Sequence, residues 1–345
     1  MNRAQITFVI LLLILLASIA ANGIPTTVPE IVILMEPPSG SHDPARTATP
    51  FASPSPAPTA FPTHAGDADT PEGTSTPINV PTLPPRDSSA PNPTPLPPLT
   101  AEQWREWPVI PAIPESVHAI YLRGLELGND PANFSTIGDC QSVPIVFMGA
   151  YDQRLEFWPP YDYTNLMPTL THFQGSFGRR SGAVANGMSA ASVFSPFWAD
   201  LNTCEAGETP LECEFRLQKP IIVFINLGTN FGEPEKHEQY LRDILGFVIE
   251  HGAVPVLSTK GDNAEGDWSV NLHITRLAIE YDLPLWNYWA AIQDLPNHGI
   301  DDARPEGNYL THAAWEVRSI TGLQVLDVLW HALETVHDPS AEQSQ

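Results

Sequence analysis

A cysteine thiol follows the end of a short predicted strand, at a position where catalysis is chemically feasible. Ile137-Gly138-Asp139-Cys140 comes directly after the apolar segment 134–137. A glycine at a strand end lets the backbone turn sharply, and the residues after it can lie at a helix N-terminus. A thiol at such a position would have a lowered pKa and could act as a nucleophile. On the spacing alone, an ordinary turn with a small buried cysteine is the better interpretation.

A second polar turn, Gly228-Thr229-Asn230, follows the apolar run 220–227. An asparagine side chain at a strand end can donate a hydrogen bond to a developing oxyanion, as oxyanion holes require. It can equally cap the helix that follows. Either way, the amide group is expected at the same sheet edge as the thiol if the two strands are parallel.

Predicted strands and helices alternate along the chain from about residue 101, and these elements must position the thiol and the amide. We predict strands at 134–137, 220–227, 253–259 and 284–289, and helices at 114–128, 235–251, 268–281 and 315–337. Continuous apolar strands separated by amphipathic helices predict a three-layer α/β/α domain with a central parallel sheet. In such sheets, functional groups collect at the carboxyl ends of the strands.

Short blocks in the right order resemble the SGNH/GDSL hydrolases from about residue 134 to the final helix. That family has a Gly-Asp-Ser turn, a later glycine, a Gly-x-Asn and an Asp-x-x-His. Here the matching positions are Gly138-Asp139-Cys140, Gly187 and Gly228-Thr229-Asn230. The resemblance implies a flavodoxin-like fold without a cofactor or metal, with Cys140 as nucleophile. It also implies that Gly187 and Asn230 donate hydrogen bonds to the oxyanion.

The fourth block departs from the family pattern. The alignment places Glu306 at the aspartate and Tyr309 at the histidine, while His312 lies three residues further on and Asp302 lies nearby. The resemblance implies an esterase that acts on acyl or acetyl esters of lipid or carbohydrate. In that enzyme His312 would be the base, oriented by Glu306 or Asp302. Because a tyrosine is a poor base at neutral pH, the alternative is an inactive module that binds glycan or cell-envelope material.

The other two cysteines bracket a short loop rich in turn-forming residues. In an oxidising compartment, Cys204 and Cys213 are expected to form a disulfide, although two free thiols remain the alternative. Cys140 is then the unpaired cysteine. The acidic residues Asp262, Glu265 and Asp267 suggest an acidic rim, but they lack the spacing of a calcium loop, so no metal site is predicted.

The N-terminal third has a different composition. Residues 1–21 combine a charged start with a short apolar run, which indicates a signal peptide or an uncleaved membrane anchor. Residues 22–100 hold 20 of the 37 prolines and read as a disordered spacer. We therefore expect an extracellular or cell-envelope protein, either secreted or held to a membrane or wall through its N-terminus. The predicted domain spans 101–338, with a disordered tail at 339–345.

The charge balance excludes one class of partner. With 16 basic and 40 acidic residues, the formal net charge is −24, which repels a nucleic-acid backbone. The expected partner is a small-molecule ester or a glycan, and the protein is expected to be a monomer.

Overall fold

The computed structural model describes residues 99–153, 163–304 and 308–337. The predicted signal or anchor segment, nearly all of the spacer, Glu306 and the tail lie outside the described residues. Within them, no helix combines the length and apolar character needed to cross a membrane.

The described residues form a parallel sheet whose strands are the predicted ones with adjusted ends. Its strands are β1 (Asp130–Gly138), β2 (Pro220–Asn226), β3 (Val254–Ser258) and β4 (Leu285–Trp286), paired in the order β1-β2-β3-β4. Every residue of β2 and β3 is buried, which requires cover on both faces of the sheet. The predicted fold class is confirmed.

The segments that follow β1 in the chain lie on opposite sides of it in the sheet. On one side, Gly138 pairs with Asn226 of β2, and on the other it forms an isolated parallel bridge with Val184. The segment after β1 therefore lies on one flank, while the next full strand lies on the other. Such a switch point opens a crevice at the carboxyl end of the first strand, where α/β proteins bind ligands. Cys140 follows this point directly.

Helices flank the sheet in two groups. The α-helices of the described residues are α1 (Ser116–Leu127), α2 (Met167–His172), α3 (Pro210–Gln218), α4 (Pro234–Glu250), α5 (Ser269–Glu280), α6 (Tyr288–Ala291) and α7 (His312–His337). Both α1 and α2 pack against α7, whereas α4 packs against α5. Short 3-10 helices lie at Ala101–Glu106, Cys140–Ser142, Gly149–Asp152, Thr164–Leu166, Ser192–Phe194, Pro196–Trp198 and Pro296–Gly299.

Some element boundaries differ from the prediction for identifiable reasons. The strand predicted at 284–289 ends at Trp286, because the Asn287 side chain accepts from the Ala290 backbone N–H and starts α6. The amide of Asn287 also donates to the Trp104 and Trp107 carbonyls, which fixes it in place. Helix α3 was not predicted, although Thr209 and Glu212 form a capping box at its start.

Candidate active site

The segments that carry the family-like blocks meet at the carboxyl edge of the sheet. The Gly138 N–H donates to the Ala183 carbonyl at 3.0 Å, and the Ala185 N–H donates to the Gly138 carbonyl at 3.3 Å. The side-chain amide of Asn230 donates to the Met188 carbonyl at 3.4 Å. The turn after β1 and the turn after β2 are thus both hydrogen-bonded to the segment 183–188, which contains the exposed Gly187, although the three are remote in sequence.

Cys140 is half-buried and begins a helix of only three residues. The Asp139 carboxylate caps that helix by accepting from the Gln141 N–H at 2.9 Å. Burial, together with the neighbouring Asp139 charge, raises the pKa of the Cys140 thiol to about 11. The expectation of a lowered pKa was wrong, because one short turn of helix does not offset the loss of solvent around the thiol.

The histidine expected to act as the base does not contact the Cys140 thiol. His312 is the first residue of α7, its side chain is 77% exposed, and its Nδ1 lies 3.2 Å from Glu316 Oε1. Among the described residues, no side chain forms a hydrogen bond with the Cys140 sulfur. The predicted pairing of His312 with Cys140 is therefore not seen.

Tyr309 and Asp302 belong to a neighbouring loop with contacts of its own. The guanidinium of Arg304 lies over the Tyr309 ring, 4.3 Å from its centroid, and the Tyr309 carbonyl accepts from the Asp301 N–H. Asp302 is exposed and accepts a hydrogen bond from the Asn297 amide. Both side chains thus contact residues of this loop, Arg304 and Asn297, and not the thiol.

An ion cluster occupies the turn after β3. The Lys260 ammonium bonds Asp262 Oδ1 at 2.7 Å and also the Glu265 carboxylate, and all three side chains are at most 6% exposed. The Thr229 hydroxyl donates to Asp262 Oδ2 at 2.7 Å. The expectation of an acidic rim was wrong for Asp262 and Glu265, because Lys260 draws both carboxylates inward, whereas Asp267 is exposed. Gly228 allows this approach, since a Cβ there would lie 3.0 Å from Lys260 Cδ.

A buried arginine completes the charged groups at this edge. Arg318, on α7, is 4% exposed and lies over the Tyr288 ring at 4.6 Å from its centroid. Burial raises the pKa of Asp139 to about 6, although the Arg318 charge counteracts part of that rise. Arg318 and Lys260 were not predicted as site residues; the signal in the sequence was a basic residue within or directly after a mainly apolar segment.

These charged groups nearly fill the hollow at the strand ends. It is lined by Asp139, Gln141, Asn226, Leu227, Gly228, Thr229, Ser258, Thr259, Lys260, Gly261, Asp262, Leu310 and Arg318. Its interior space is about 20 Å³, which corresponds to roughly one water molecule. A hollow of that size does not admit an acyl group or a sugar as the structure stands.

A larger hollow lies between the loop after Cys140 and the start of α7. Its interior space is about 60 Å³, against about 20 Å³ for the hollow at the strand ends, and it opens to solvent. Its lining is rich in aromatic residues and consists of Pro144–Tyr151, Tyr163, His312, Trp315, Glu316 and Ser319. We call it the aromatic hollow. His312 thus lines a hollow different from the one lined by Asp139 and Arg318.

The predicted disulfide between Cys204 and Cys213 is confirmed. It joins the loop before α3 to that helix and lies outside both hollows. Cys140 is the remaining free cysteine, also as predicted.

Comparisons with known proteins find similarity at the level of structure. No family model matches the chain, and no curated protein matches it in sequence. The similar solved structures include TesA, with 16% identity, a TM-score of 0.39 and coverage of 57% of this chain and 99% of that one. The esterase EstA from Pseudoalteromonas sp. has 13% identity, a TM-score of 0.39 and coverage of 58% and 98%.

A third similar structure is an acetylxylan esterase from Geobacillus stearothermophilus, with 13% identity, a TM-score of 0.38 and coverage of 56% of this chain and 93% of that one. A GDSL-like lipase from Bacteroides thetaiotaomicron is also similar, with 13% identity, a TM-score of 0.36 and coverage of 62% and 99%. The family that the sequence blocks resemble, the SGNH/GDSL hydrolases, is also the family to which structures similar to this chain belong.

Proposed function

We propose that this protein is a non-hydrolytic module with a hydrolase-like fold that binds glycan or cell-envelope material. The observation that carries the proposal is the state of Cys140. Its pKa is raised to about 11, and none of the described imidazoles bonds its sulfur. A nucleophile that stays protonated and lacks a base is not activated for attack.

Ester cleavage needs an ionised nucleophile, so the protonation of the Cys140 thiol decides whether the site can hydrolyse an ester. With a pKa near 11, only a very small fraction of the Cys140 thiol is ionised at pH 7. Cleavage also needs a proton donor for the leaving group, with a pKa near the working pH. His312 pairs with Glu316 and Tyr309 contacts Arg304, so neither is held against the thiol. Loss of a catalytic base typically costs several powers of ten in rate.

The second candidate is hydrolysis of an acyl or acetyl ester of lipid or carbohydrate, with Cys140 as nucleophile. It is supported by the hydrogen bond from Asn230 to Met188 and by the pairing around Gly138, which gather the oxyanion-hole segments. Such an enzyme would act through the small thiolate fraction. Its rate would therefore rise about tenfold per pH unit from pH 7 to 10.

An esterase assay separates the two candidates. Wild type and Cys140→Ala are compared on p-nitrophenyl acetate and butyrate at pH 7 and pH 9. We expect equal rates for the two proteins at pH 7, because the thiol contributes nothing to turnover. A saturable, Cys140-dependent rate well above background would establish the second candidate and end the first.

Export is part of the proposal. It is supported by the apolar run in residues 1–21 and by the proline-rich composition of residues 22–100, which suits a domain held away from a membrane or wall. Expression of the full chain in a bacterium, followed by protease treatment of intact cells, tests it. We expect the domain to be cleaved from the cell surface or found in the medium, whereas full protection until lysis would contradict export.

A further inference from the structure

A short loop beyond the Gly187 segment holds three large apolar side chains in water. Phe197 is 96% exposed, Leu201 is 80% exposed and Trp198 is 39% exposed. We call these three residues the apolar tip. We propose that the apolar tip is a contact site for the surface of a zwitterionic lipid bilayer. This inference rests on the proposed function, because it names a bilayer as the cell-envelope material.

The loop that carries the apolar tip is held in place by its own bonds. The Trp198 N–H donates to the Ser195 carbonyl at 2.9 Å, and the Cys204 N–H donates to the Asp200 carbonyl at 2.8 Å. Cys204 is also joined to Cys213 of α3 by the disulfide. A loose loop could fold its apolar side chains back onto the domain. This loop instead presents them to solvent in a fixed arrangement, so little ordering is needed when they bind.

The size of the apolar tip argues against pairing with a second copy of the chain. A stable interface between proteins buries about 800 Å² on each partner. The three side chains together expose about 400 Å², at roughly 200 Å² for a large side chain that is fully exposed. A patch of that size on a monomer is often functional. Entry into a bilayer interface needs no complementary partner surface, because each apolar side chain leaves water by itself.

The apolar tip lies at the carboxyl edge of the sheet. A Cβ on Gly187 would lie 4.0 Å from the Trp198 ring. The segment 183–188, which contains Gly187, is hydrogen-bonded to Gly138 at the end of β1. Contact through the tip therefore turns this edge of the sheet toward the bilayer and the opposite edge, where β1 begins, away from it.

Charge selects among lipids. Asp200 lies between Trp198 and Leu201 and is exposed. Hydrogen bonds from Asn202, with a smaller contribution from the Arg180 charge, lower the pKa of Asp200, so its carboxylate stays ionised at neutral pH. This carboxylate and the net charge of −24 are repelled by anionic headgroups. A phosphatidylcholine headgroup ends in a trimethylammonium group, which a tryptophan face and a carboxylate both attract.

The test uses the full-length protein with a fluorophore beside the apolar tip. Asn202→Cys in a Cys140→Ala background is labelled with the environment-sensitive fluorophore NBD and mixed with phosphatidylcholine vesicles. We expect the emission to rise about twofold and to shift to the blue, because the label enters the bilayer interface with the tip. The matched control is Glu126→Cys in the same background, exposed near the end of α1 at the opposite edge of the sheet. Its emission should not change.

A second variant ties the signal to the apolar side chains. Phe197→Ser combined with Leu201→Ser, in the protein labelled at position 202, should lose most of the rise. Both side chains are exposed, so the thermal unfolding midpoint should equal that of the parent protein. An equal midpoint shows that the lost signal reflects the tip and not the fold.

Several outcomes would overturn the inference. They are no rise at position 202, an equal rise in the serine variant or at position 126, and a larger rise on vesicles that contain phosphatidylglycerol. A rise with protein concentration in the absence of lipid would also overturn it, because it would indicate a second copy as the partner. Each of these results leaves the non-hydrolytic proposal standing, whereas Cys140-dependent turnover of an ester would remove that proposal without changing the response of the tip.

Discussion

At the scale of single residues, Asp139 shows what burial does to the family-like turn. It is 1% exposed, and its pKa is raised to about 6, chiefly by loss of solvent. The native state therefore keeps a proton that the unfolded chain has already released between about pH 4 and 6. Stability from this group is full below pH 4 and is lost as the pH rises through 6.

Asp139→Asn should abolish that pH dependence. The asparagine Oδ1 can still accept from the Gln141 N–H but carries no charge at any pH. We expect the variant to unfold at higher urea than wild type at pH 7.5, with a gain of about 2–3 kcal/mol, and to match wild type near pH 4. Urea titrations at both pH values measure this, and the same difference at both would show that Asp139 does not titrate as described.

At the scale of elements, the turn after β3 depends on its internal ion cluster. Lys260→Met leaves Asp262 and Glu265 buried without their cation, and breaking a buried pair in this way costs about 3–5 kcal/mol. The control Lys236→Met removes a lysine paired with Glu233 on the surface, where the cost is within about 1 kcal/mol. Urea unfolding of both variants decides the point. Equal losses would show that the cluster does not stabilise the turn.

Helix α1 is held against the turn that precedes β3 by a close backbone approach. A Cβ on Gly124 would lie 2.1 Å from the Gly252 carbonyl oxygen, which belongs to backbone and cannot easily yield. Gly124→Ala should therefore lower the free energy of unfolding by at least about 2 kcal/mol. Gly246→Ala, within α4 and without a neighbour inside 4 Å, should instead raise it by about 0.5–1 kcal/mol. Thermal unfolding of both variants checks the opposite signs.

The elements were largely predictable, whereas the chemistry of the site was not. Apolar runs located β2 and β3, because strands covered on both faces are apolar throughout. The pairing of Lys260 with two carboxylates depends on the path of a turn that no periodicity reveals. The direction of His312 was equally inaccessible, because α7 begins at His312 and not at residue 315. That early start directs the imidazole outward toward Glu316.

At the scale of the whole molecule, the dominant property is charge. A net charge of −24 opposes compaction through self-repulsion, and salt screens it, with a Debye length of about 10 Å at 0.1 M. We expect the Tm to rise by several degrees between 20 and 500 mM NaCl, as measured by circular dichroism. A Tm that falls over this range would mean that attractive ion pairs outweigh the excess of acidic groups.

The proposal of a non-hydrolytic module depends on a Cys140 thiol that is protonated and has no base. Titration of this thiol tests the proposal most directly. The rate of iodoacetamide labelling is measured by mass spectrometry from pH 6 to 10, and Cys140 is the only free thiol because Cys204 and Cys213 are bonded to each other. The raised pKa predicts a rate that still climbs about tenfold per pH unit at pH 9 to 10. A rate that levels off at or below pH 8 would reveal an activated thiolate and contradict the account.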